Sequence, residues 1–370
     1  MNSTQRLAAC LKGQPTDRVA ISAYELVGWN SRAWENIEPS YRRLMDIIRA
    51  HTDCMYMTDV PVPNAAQGAW DVETTRWDEG GQHVTRGVIH APGRDLTFVS
   101  SHSDNVKTVW RREHLVKNLD DLRAYLDLPW QPGEADFGEL QRAWGELGDD
   151  KGLPLVTIED PLCELAEAFE FGDFMVHMMT EPEAMLAAMD CLHERHLAVL
   201  RKILAGPVTN VVFRIAGPEY ATPPYLPPEM FRRLVTRYDG LYIRMIRAAG
   251  AFARIHSHGK IAHVLDQIDE MAPDALDPLE PPPDGDIDIP ELKRRIGSRI
   301  CLMGGIELKH LETRDEDFIS QLVRQTIAAG KSGGRFVIMP TAAPINIPLS
   351  AKTEANFIRF IETALDTGRY

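Results

Sequence analysis

The sequence has little cysteine and no long run of apolar or of basic residues. Its five cysteines are scattered without paired spacing, which predicts buried reduced thiols rather than a disulfide framework. No stretch approaches the roughly 18 consecutive apolar residues of a membrane span. The first residues also carry no apolar segment of signal-peptide length, so we expect a cytoplasmic protein.

The charge pattern also limits the partners. The net charge is -14, and no block of five or more basic residues occurs, which argues against nucleic acids and anionic membranes. The chain has neither a P-loop nor the glycine-rich turn of dinucleotide-binding folds, so ATP and NAD are not implied. Small molecules or other proteins are the expected partners.

Short apolar or β-branched runs alternate with longer stretches of helical periodicity. The short runs predict eight strands, at Val19–Ala23, Cys54–Met57, Leu155–Ile158, Val211–Ile215, Phe252–His256, Ala275–Leu279, Ile300–Met303 and Phe336–Met339. The longer stretches predict helices, among them Glu183–Leu204 and Pro228–Ala249. Although 370 residues could hold two domains, α/β barrels with insertions use this length as one. We therefore predict one (β/α)₈ TIM barrel over residues 1–370.

One segment interrupts this alternation. Residues 67–116 contain short alternating runs separated by turn residues, as in "WDVETTRWDEGGQHVTRGVIHAPGRDLTFVSSH". This pattern predicts a β-meander inserted after the second strand. We expect the insertion to act as a cap or as a dimer flap.

Polar residues stand at the carboxyl ends of nearly all the predicted strands, which is where catalytic residues of this fold are found. They are Glu25, Asp59, Glu159 with Asp160, Glu219, His256 with His258, Glu280, Glu307 and Thr341. Roughly half should be solvated or helix-capping groups, because carboxylates near a helix N-terminus complement its dipole. Asp160 is the expected cap. Glu25, Glu219 and Glu280 have aromatic, glycine and proline neighbours, so solvation explains them less well.

Two histidines at the end of the fifth predicted strand form the leading candidate metal site. His256 and His258 are two apart and should point to one face, and Glu280 ends the next strand. Two imidazoles and a carboxylate suit Zn²⁺ with a fourth position open, and they also suit other divalent ions. The His-x-His spacing alone more often decorates a polar turn. The prediction therefore depends on Glu280 and on the rest of the rim.

Four segments in order resemble the superfamily of uroporphyrinogen decarboxylase, corrinoid-linked methyltransferases and cobalamin-independent methionine synthase. They are "LKGQPTDRVAISAY", "LYIRMIRAAGAFARIHSHGKIAHVLDQIDEMAPDALDPLEP", "ELKRRIGSRICLMGGIE" and "GGRFVIMPTAAPINIP". The resemblance is strongest over about the last 170 residues and weak in the insertion.

The resemblance implies a metal site with altered ligands. Zinc-dependent methyltransferases of the superfamily carry His-x-Cys after strand five and a Cys after strand eight. Here His256 matches the His, His258 takes the first Cys position, and the second Cys falls at or beside Thr341 and Ala342. Glu280 matches a Glu present in some branches. Without thiolates the site should favour oxygen or nitrogen ligands over thiols.

The methyltransferase-like branch is therefore the preferred hypothesis. A metal-dependent enzyme would move a methyl group from an O-methyl or N-methyl small molecule to a corrinoid protein, with Zn²⁺ stabilising the leaving heteroatom. Glu219, as fourth ligand, metal-supporting group or proton donor, and Tyr220 are the catalytic candidates. The candidates for substrate binding are Tyr24, Glu25, Trp29, Glu159, Thr341 and Asn346.

Two alternatives remain open: a metal-dependent hydrolase or decarboxylase on the same barrel, and a metal-free small-molecule-binding homologue. True uroporphyrinogen decarboxylase activity is not expected. The segment after strand one reads "AYELVGWN" where that enzyme carries arginines, and Glu25 would repel a polycarboxylate substrate. A homodimer is in keeping with the resemblance.

Overall fold

The part of the chain described in this computed structural model, residues 1–66 and 70–370, is built around an eight-stranded parallel sheet. The strands of both sheets in this part of the chain are, in chain order, β1 (Ala20–Ile21), β2 (Cys54–Thr58), β3 (Val72–Glu79), β4 (Gln82–Ala91), β5 (Arg94–Ser103), β6 (Val106–Glu113), β7 (Gly152–Glu159), β8 (Val212–Ala216), β9 (Phe252–His256), β10 (Ala275–Leu279), β11 (Cys301–Ile306) and β12 (Phe336–Pro340). The parallel sheet has the order β1-β12-β11-β10-β9-β8-β7-β2. The predicted α/β fold with eight parallel strands is confirmed.

Helices follow the parallel strands and cover the sheet. They are α1 (Ser3–Lys12), α2 (Trp34–Ile37), α3 (Arg42–His51), α4 (Leu119–Leu126), α5 (Gly138–Leu147), α6 (Pro161–Ala168), α7 (Phe171–Thr180), α8 (Pro182–Leu204), α9 (Pro228–Phe231), α10 (Arg237–Ala248), α11 (Leu265–Met271), α12 (Ile289–Arg295), α13 (Leu308–Thr313), α14 (Glu316–Gly330) and α15 (Ala351–Thr367). Within the described residues, none of them has the length and apolar character needed to span a membrane.

The edge strands β1 and β2 meet through Asp53. The Asp53 backbone N–H donates to the carbonyl of Ile21 at 2.7 Å, and the Ile21 N–H donates to the Asp53 carboxylate at 2.9 Å. The same carboxylate is fully buried and pairs with Arg6 at 2.6 Å and Arg18 at 2.7 Å. The sheet therefore curls until its edges touch, as in a TIM-like barrel.

Strands β3 to β6 form a separate antiparallel sheet that lies in the chain between β2 and β7. Residues 67–69, at the start of the predicted insertion, lie outside the described residues. The Lys107 N–H donates to the carbonyl of Ile345 at 2.8 Å, and the Ile347 N–H donates to the carbonyl of Asn105 at 2.9 Å. These bonds hold the antiparallel sheet against the segment after β12. Its role as a cap or dimer flap stays a prediction.

Local sequence explains where α6 begins, but it does not explain how the helix predicted over Pro228–Ala249 is divided. Asp160 accepts a hydrogen bond from the Cys163 N–H at 2.7 Å at the start of α6, so the predicted cap is confirmed. The single helix predicted over Pro228–Ala249 is instead α9, a π-helical turn at Arg232–Thr236 and α10. Such turns insert one residue and often accompany functional sites.

Candidate functional site

Side chains from four strand ends meet inside the curled sheet. Arg214 on β8 lies beside Arg254 on β9, and His256 on β9 lies beside Asp277 on β10. Tyr24 follows β1, which is not a neighbour of β8, yet its hydroxyl accepts a hydrogen bond from Arg214 at 3.1 Å. That contact has to cross the interior of the sheet. The carboxyl ends of these strands therefore face one shared space.

A chain of hydrogen bonds fixes His256. Both oxygens of the buried Asp277 carboxylate accept from the guanidinium of Arg254, and Asp277 Oδ2 lies 3.0 Å from His256 Nδ1. Arg214 Nη2 lies 2.8 Å from His256 Nε2. A guanidinium can only donate, so Nε2 accepts and the ring proton lies on Nδ1, where it donates to Asp277. Burial lowers the pKa of His256, so the ring is neutral near pH 7.

Tyr24 packs beside His256. Its ring stacks on His256 with centroids 6.4 Å apart, and it adopts a φ of 57°, which is uncommon for a bulky residue. Strained backbone of this kind often accompanies functional sites. Glu25 lies 3.5 Å from Arg214 Nη1, which is a long contact. One N–H group of Arg214 is therefore available to donate a hydrogen bond to a substrate oxygen.

A second pair lies next to the first. His258 Nδ1 is 2.7 Å from Glu280 Oε1, and Glu280 Oε2 accepts from the Gly259 N–H at 2.7 Å. The rings of His256 and His258 are edge-to-face, 4.8 Å apart. Burial lowers the pKa of His258, but the bond to Glu280 outweighs this, and the net pKa is raised. Burial raises the pKa of Glu280, but His258 and Gly259 together lower it.

Glu307 is a buried acid of this region with a raised pKa. Burial, with repulsion from Glu280 and Asp284, raises the pKa of Glu307 to about 7. Its Oε2 accepts from the Thr341 hydroxyl at 3.2 Å. Its Oε1 is buried and has no hydrogen-bond partner among residues 1–66 and 70–370. A carboxyl in this state can give up a proton near neutral pH.

These side chains form one group, which we call the rim cluster. Its members are Tyr24, Glu25, Arg214, His256, His258, Glu280, Glu307 and Thr341. The cluster brings together six of the predicted site residues. It adds Arg214, which the sequence analysis missed, and Glu307, to which it gave no specific role.

The predicted ligand set does not fit a metal ion in this arrangement. Both ring nitrogens of His256 are engaged, one by Asp277 and the other by Arg214. Both oxygens of Glu280 are engaged as well, and Nδ1 of His258 is bound to it. Among the described residues no group of three or more His, Cys, Asp or Glu side chains has a metal-binding arrangement. Zinc therefore stays a prediction from the sequence.

Other predicted residues lie elsewhere. The Tyr220 hydroxyl donates to Glu167 at 3.1 Å, beside α6. Trp29 packs under Lys151, whose Nζ is 4.2 Å from the ring centroid, near the amino end of β7. Trp29 therefore lies at the opposite end of the strands from the rim cluster, and Tyr220 contacts α6. Hydrophobic periodicity cannot show this, because it does not say which way a loop folds.

Three further candidates have local roles. Glu219 lies in the turn Pro218–Ala221 and accepts from the Gly217 N–H at 3.0 Å, and its charge acts on both His256 and His258. The backbone carbonyl of Asn346 accepts from the Tyr41 hydroxyl at 2.9 Å, in the segment that meets β6. Glu159 lines a cavity beside α8. Their predicted roles in binding or catalysis remain predictions.

One sequence signal could have identified Arg214, Arg254 and Asp277 as residues of the site. Arg254 precedes His256 by two positions, so alternation along a strand places both on one face. Asp277 and Arg214 stand in otherwise apolar strands, "ALDPL" and "VFRIA". A charged residue in the middle of a buried parallel strand has to be paired, so each was a candidate for the interior.

Known proteins similar to this chain were compared with it. The sequence profile described as Uroporphyrinogen decarboxylase (URO-D) matches residues 162–362, more than half of the chain. A methyltransferase from Methanosarcina mazei has a similar structure, with a TM-score of 0.61, 13% identity and 99% of both chains covered. At that identity the likeness shows a shared fold.

A Bacteroidetes-affiliated GH5 cellulase is less similar, with a TM-score of 0.36 and 10% identity over 61% of this chain and 73% of that one. It carries no argument about fold or function. No curated protein sequence matches the chain.

Proposed function

The chain belongs to the uroporphyrinogen decarboxylase family. From this premise we propose that it is a methyltransferase whose active site is the rim cluster. It would take a methyl group from an O-methyl or N-methyl small molecule and pass it to a corrinoid protein. The fold shared with the Methanosarcina methyltransferase supports this choice. The observation that carries it is the buried Glu307 carboxyl, whose Oε1 has no hydrogen-bond partner in the described part of the chain.

The difficult part of demethylation is the leaving group. When the bond between the methyl carbon and the heteroatom breaks, the electron pair stays on the heteroatom, which becomes a strong base. A proton donor positioned there contributes about 10²–10⁴ in rate. Glu307 would give its proton to the heteroatom, and the methyl group would leave toward the acceptor. The carboxylate would then regain a proton from solvent.

Arg214 would position the substrate, and His256 would hold Arg214 in place. The long 3.5 Å contact between Arg214 and Glu25 is one that a substrate oxygen could replace. His256 cannot rotate freely, because Asp277 and Arg214 hold its two nitrogens. The Arg214 guanidinium, fixed in this way, would stabilise developing negative charge without reorganising during the reaction.

The proposed proton transfer uses no metal, and zinc remains a separate hypothesis. If Zn²⁺ bound His258 and Glu280, their mutual hydrogen bond would have to open first. Metal analysis of protein purified without chelator, followed by dipicolinate treatment and re-assay, tests this. Loss of activity that Zn²⁺ alone restores would establish a metal enzyme. Full activity after stripping would leave the metal out of the reaction.

Decarboxylation is the second candidate, since the family match itself favours it. Arg214 would then hold a substrate carboxylate, and Glu307 would protonate the carbon from which CO₂ leaves. The two reactions differ in product. A decarboxylase releases CO₂ from a carboxylic acid without any methyl acceptor.

The test of the proposal is a methyl-transfer assay. Cob(I)alamin is supplied with a panel of methyl ethers and N-methyl amines, and methylcobalamin is followed by its absorbance. We expect enzyme-dependent formation with at least one substrate class. No transfer across the panel, together with CO₂ release from a carboxylated substrate, would replace the methyltransferase by the decarboxylase.

A further inference from the structure

The outer edge of β3 is free of strand pairing in the described part of the chain. Strand β3 is an end strand of the antiparallel sheet, and among residues 1–66 and 70–370 it pairs only with β4. All eight of its residues are exposed. The other end strand, β6, is bonded to the segment after β12. One side of this sheet therefore presents unused backbone N–H and C=O groups to solvent.

Strand β3 also lacks the features that usually keep two such edges from joining. Proteins protect free edges with lysine, proline or a bulge. The strand reads VETTRWDE, without lysine or proline, and its ladder with β4 runs from Val72 to Glu79 without a register shift. By contrast, the ladder between β5 and β6 is interrupted twice. The free edge is therefore regular enough to accept another strand.

The turn between β3 and β4 determines which residues of β3 face this edge. Glu79 and Gln82 close a turn of two glycines with positive φ, so they form a hydrogen-bonded pair. Hydrogen bonding alternates along an antiparallel strand, so the N–H and C=O groups of Trp77 also point to β4. The corresponding groups of Arg76 and Asp78 point to the free edge.

One face of the sheet ends at this edge in an open aromatic side chain. Trp77 is the last member of a cross-strand row that also contains Val84, Ser101 and Trp110. The two tryptophans are 40% and 43% exposed, whereas the two residues between them are buried. Trp77 of a second copy, placed directly opposite, would continue the row and cover the exposed ring.

The charges on the other face of β3 are self-complementary. Arg76 has no ion-pair partner within residues 1–66 and 70–370. Asp78 lies two positions further on the same face, 2.7 Å from His83 Nδ1. When two antiparallel copies meet with Trp77 opposite Trp77, each Arg76 lies opposite the Asp78 of the other copy. Centring the pair on Arg76 instead would place two arginines opposite each other, so the charges favour the first register.

We propose that the β3 edges of two copies of this chain pair antiparallel, with Trp77 opposite Trp77, and join two four-stranded sheets into one continuous sheet. The interface is isologous, because the same residues meet across a twofold axis. Backbone hydrogen bonds form at Arg76 and Asp78, and the side chains of the same two residues form two ion pairs. The pairing is separate from the proposed methyl transfer and does not depend on it.

Disulfide cross-linking tests the register. Opposite residues of an antiparallel pair that share no hydrogen bonds have Cα atoms about 4.5 Å apart, which is close enough for a disulfide. Trp77→Cys, made in a Cys191→Ser background because Cys191 is an exposed thiol, should give a covalent dimer on oxidation by diamide. The matched control is Thr75→Cys on the same face, because its two copies would be about 14 Å apart.

Sedimentation velocity at micromolar concentration tests the ion pairs. We expect the wild type to sediment as a dimer and Arg76→Asp to weaken dimerisation about tenfold, because it sets aspartates opposite each other at two places. The double variant Arg76→Asp/Asp78→Arg exchanges the signs and should recover the loss. Arg244→Asp is the control, since Arg244 is an exposed residue of α10 without an ion pair in the described part of the chain. It should dimerise as the wild type does.

Three results would each overturn the proposal. They are a wild type that stays monomeric, an Arg76→Asp variant that dimerises as tightly as the wild type, and a Trp77→Cys variant that cross-links no faster than Thr75→Cys. None of these readouts involves methyl transfer.

Discussion

At the scale of single residues, Glu307 carries the pH dependence that the proposed reaction requires. Its carboxyl must be protonated to act as an acid, and its pKa is about 7. The rate should therefore be constant at low pH and fall about tenfold per unit above that value. Glu307→Gln should lower kcat about 10²–10⁴-fold and abolish this dependence. A pH series of kcat for both proteins measures it.

Glu183→Gln is the control, because it removes an exposed carboxylate in the first turn of α8, far along the chain from β11. It should keep the wild-type rate and pH profile. If Glu307→Gln retained the wild-type profile, the proton would come from another group and the assigned role would be wrong.

Asp277 determines the state of the histidine beside it. Asp277→Asn would leave the buried Arg254 without a counter-charge, and breaking such a pair costs about 3–5 kcal/mol. The pKa of Asp277 is lowered, because attraction from Arg254 and His256 outweighs its burial. Its contribution to the free energy of unfolding is therefore present above the unfolded pKa of about 4 and lost as the pH falls further.

Urea unfolding of wild type and Asp277→Asn at pH 7 measures this loss. We expect the midpoint to fall with little change in slope. Asp149→Asn is the control, since Asp149 is an exposed loop carboxylate. A difference below about 1 kcal/mol for Asp277→Asn would mean that Arg254 finds another partner.

At the scale of elements, a carboxyl pair joins the start of α6 to α10. Asp160 and Asp239 are fully buried and close enough to interact electrostatically, and among the described residues three of their four carboxyl oxygens have no hydrogen-bond partner. Burial raises both pKa values well above normal, helped by repulsion from Asp239 on Asp160 and from Glu219 on Asp239. A raised pKa means that folding favours the protonated form, so this stability is complete below about pH 4 and declines as the pH rises.

Asp239→Asn should therefore stabilise the protein increasingly with pH, because the amide can donate to Asp160 without a charge. We expect a gain of about 1–3 kcal/mol at pH 8 and a smaller one at pH 5. Thermal unfolding at both pH values, with Asp149→Asn as control, measures it. An equal or negative effect at both pH values would show that repulsion between the two buried carboxyl groups does not limit the stability.

The elements also show how far sequence reasoning reached. Strands of a buried parallel sheet are mostly apolar, and β9 and β10 are buried at every position, so apolar runs located all eight strands. Helix α1 was missed although Asn2 and Gln5 form a capping box that the sequence displays. The π-helical turn before α10 leaves no comparable signal in the pattern.

The candidate site was predicted in part for a related reason. Spacing placed His256 and His258 on one face, and the strand order placed Glu280 next to them. Which other side chains approach the two histidines depends on how the sheet curls. Arg214 reaches His256 from a neighbouring strand and takes the nitrogen that a metal would need. A sequence pattern contains no information on that competition.

At the scale of the whole molecule, a curled sheet is stable only if its first and last strands are held together. Strand β1 has two residues, so few ladder hydrogen bonds are available there. Asp53 supplies the missing connection through its backbone N–H and its carboxylate. Arg6 in α1 and Arg18 before β1 neutralise the buried charge. Closure of the sheet therefore depends on a residue outside every strand.

Asp53→Asn tests this dependence. The amide keeps one acceptor for the Ile21 N–H but leaves Arg6 and Arg18 facing each other without a buried counter-charge. We expect a loss of about 3–5 kcal/mol in the free energy of unfolding, measured by urea denaturation. Asp46→Asn, which breaks an exposed pair with Arg49, should cost at most about 1 kcal/mol. Equal losses in the two variants would mean that the edges of the sheet are held by packing rather than by Asp53.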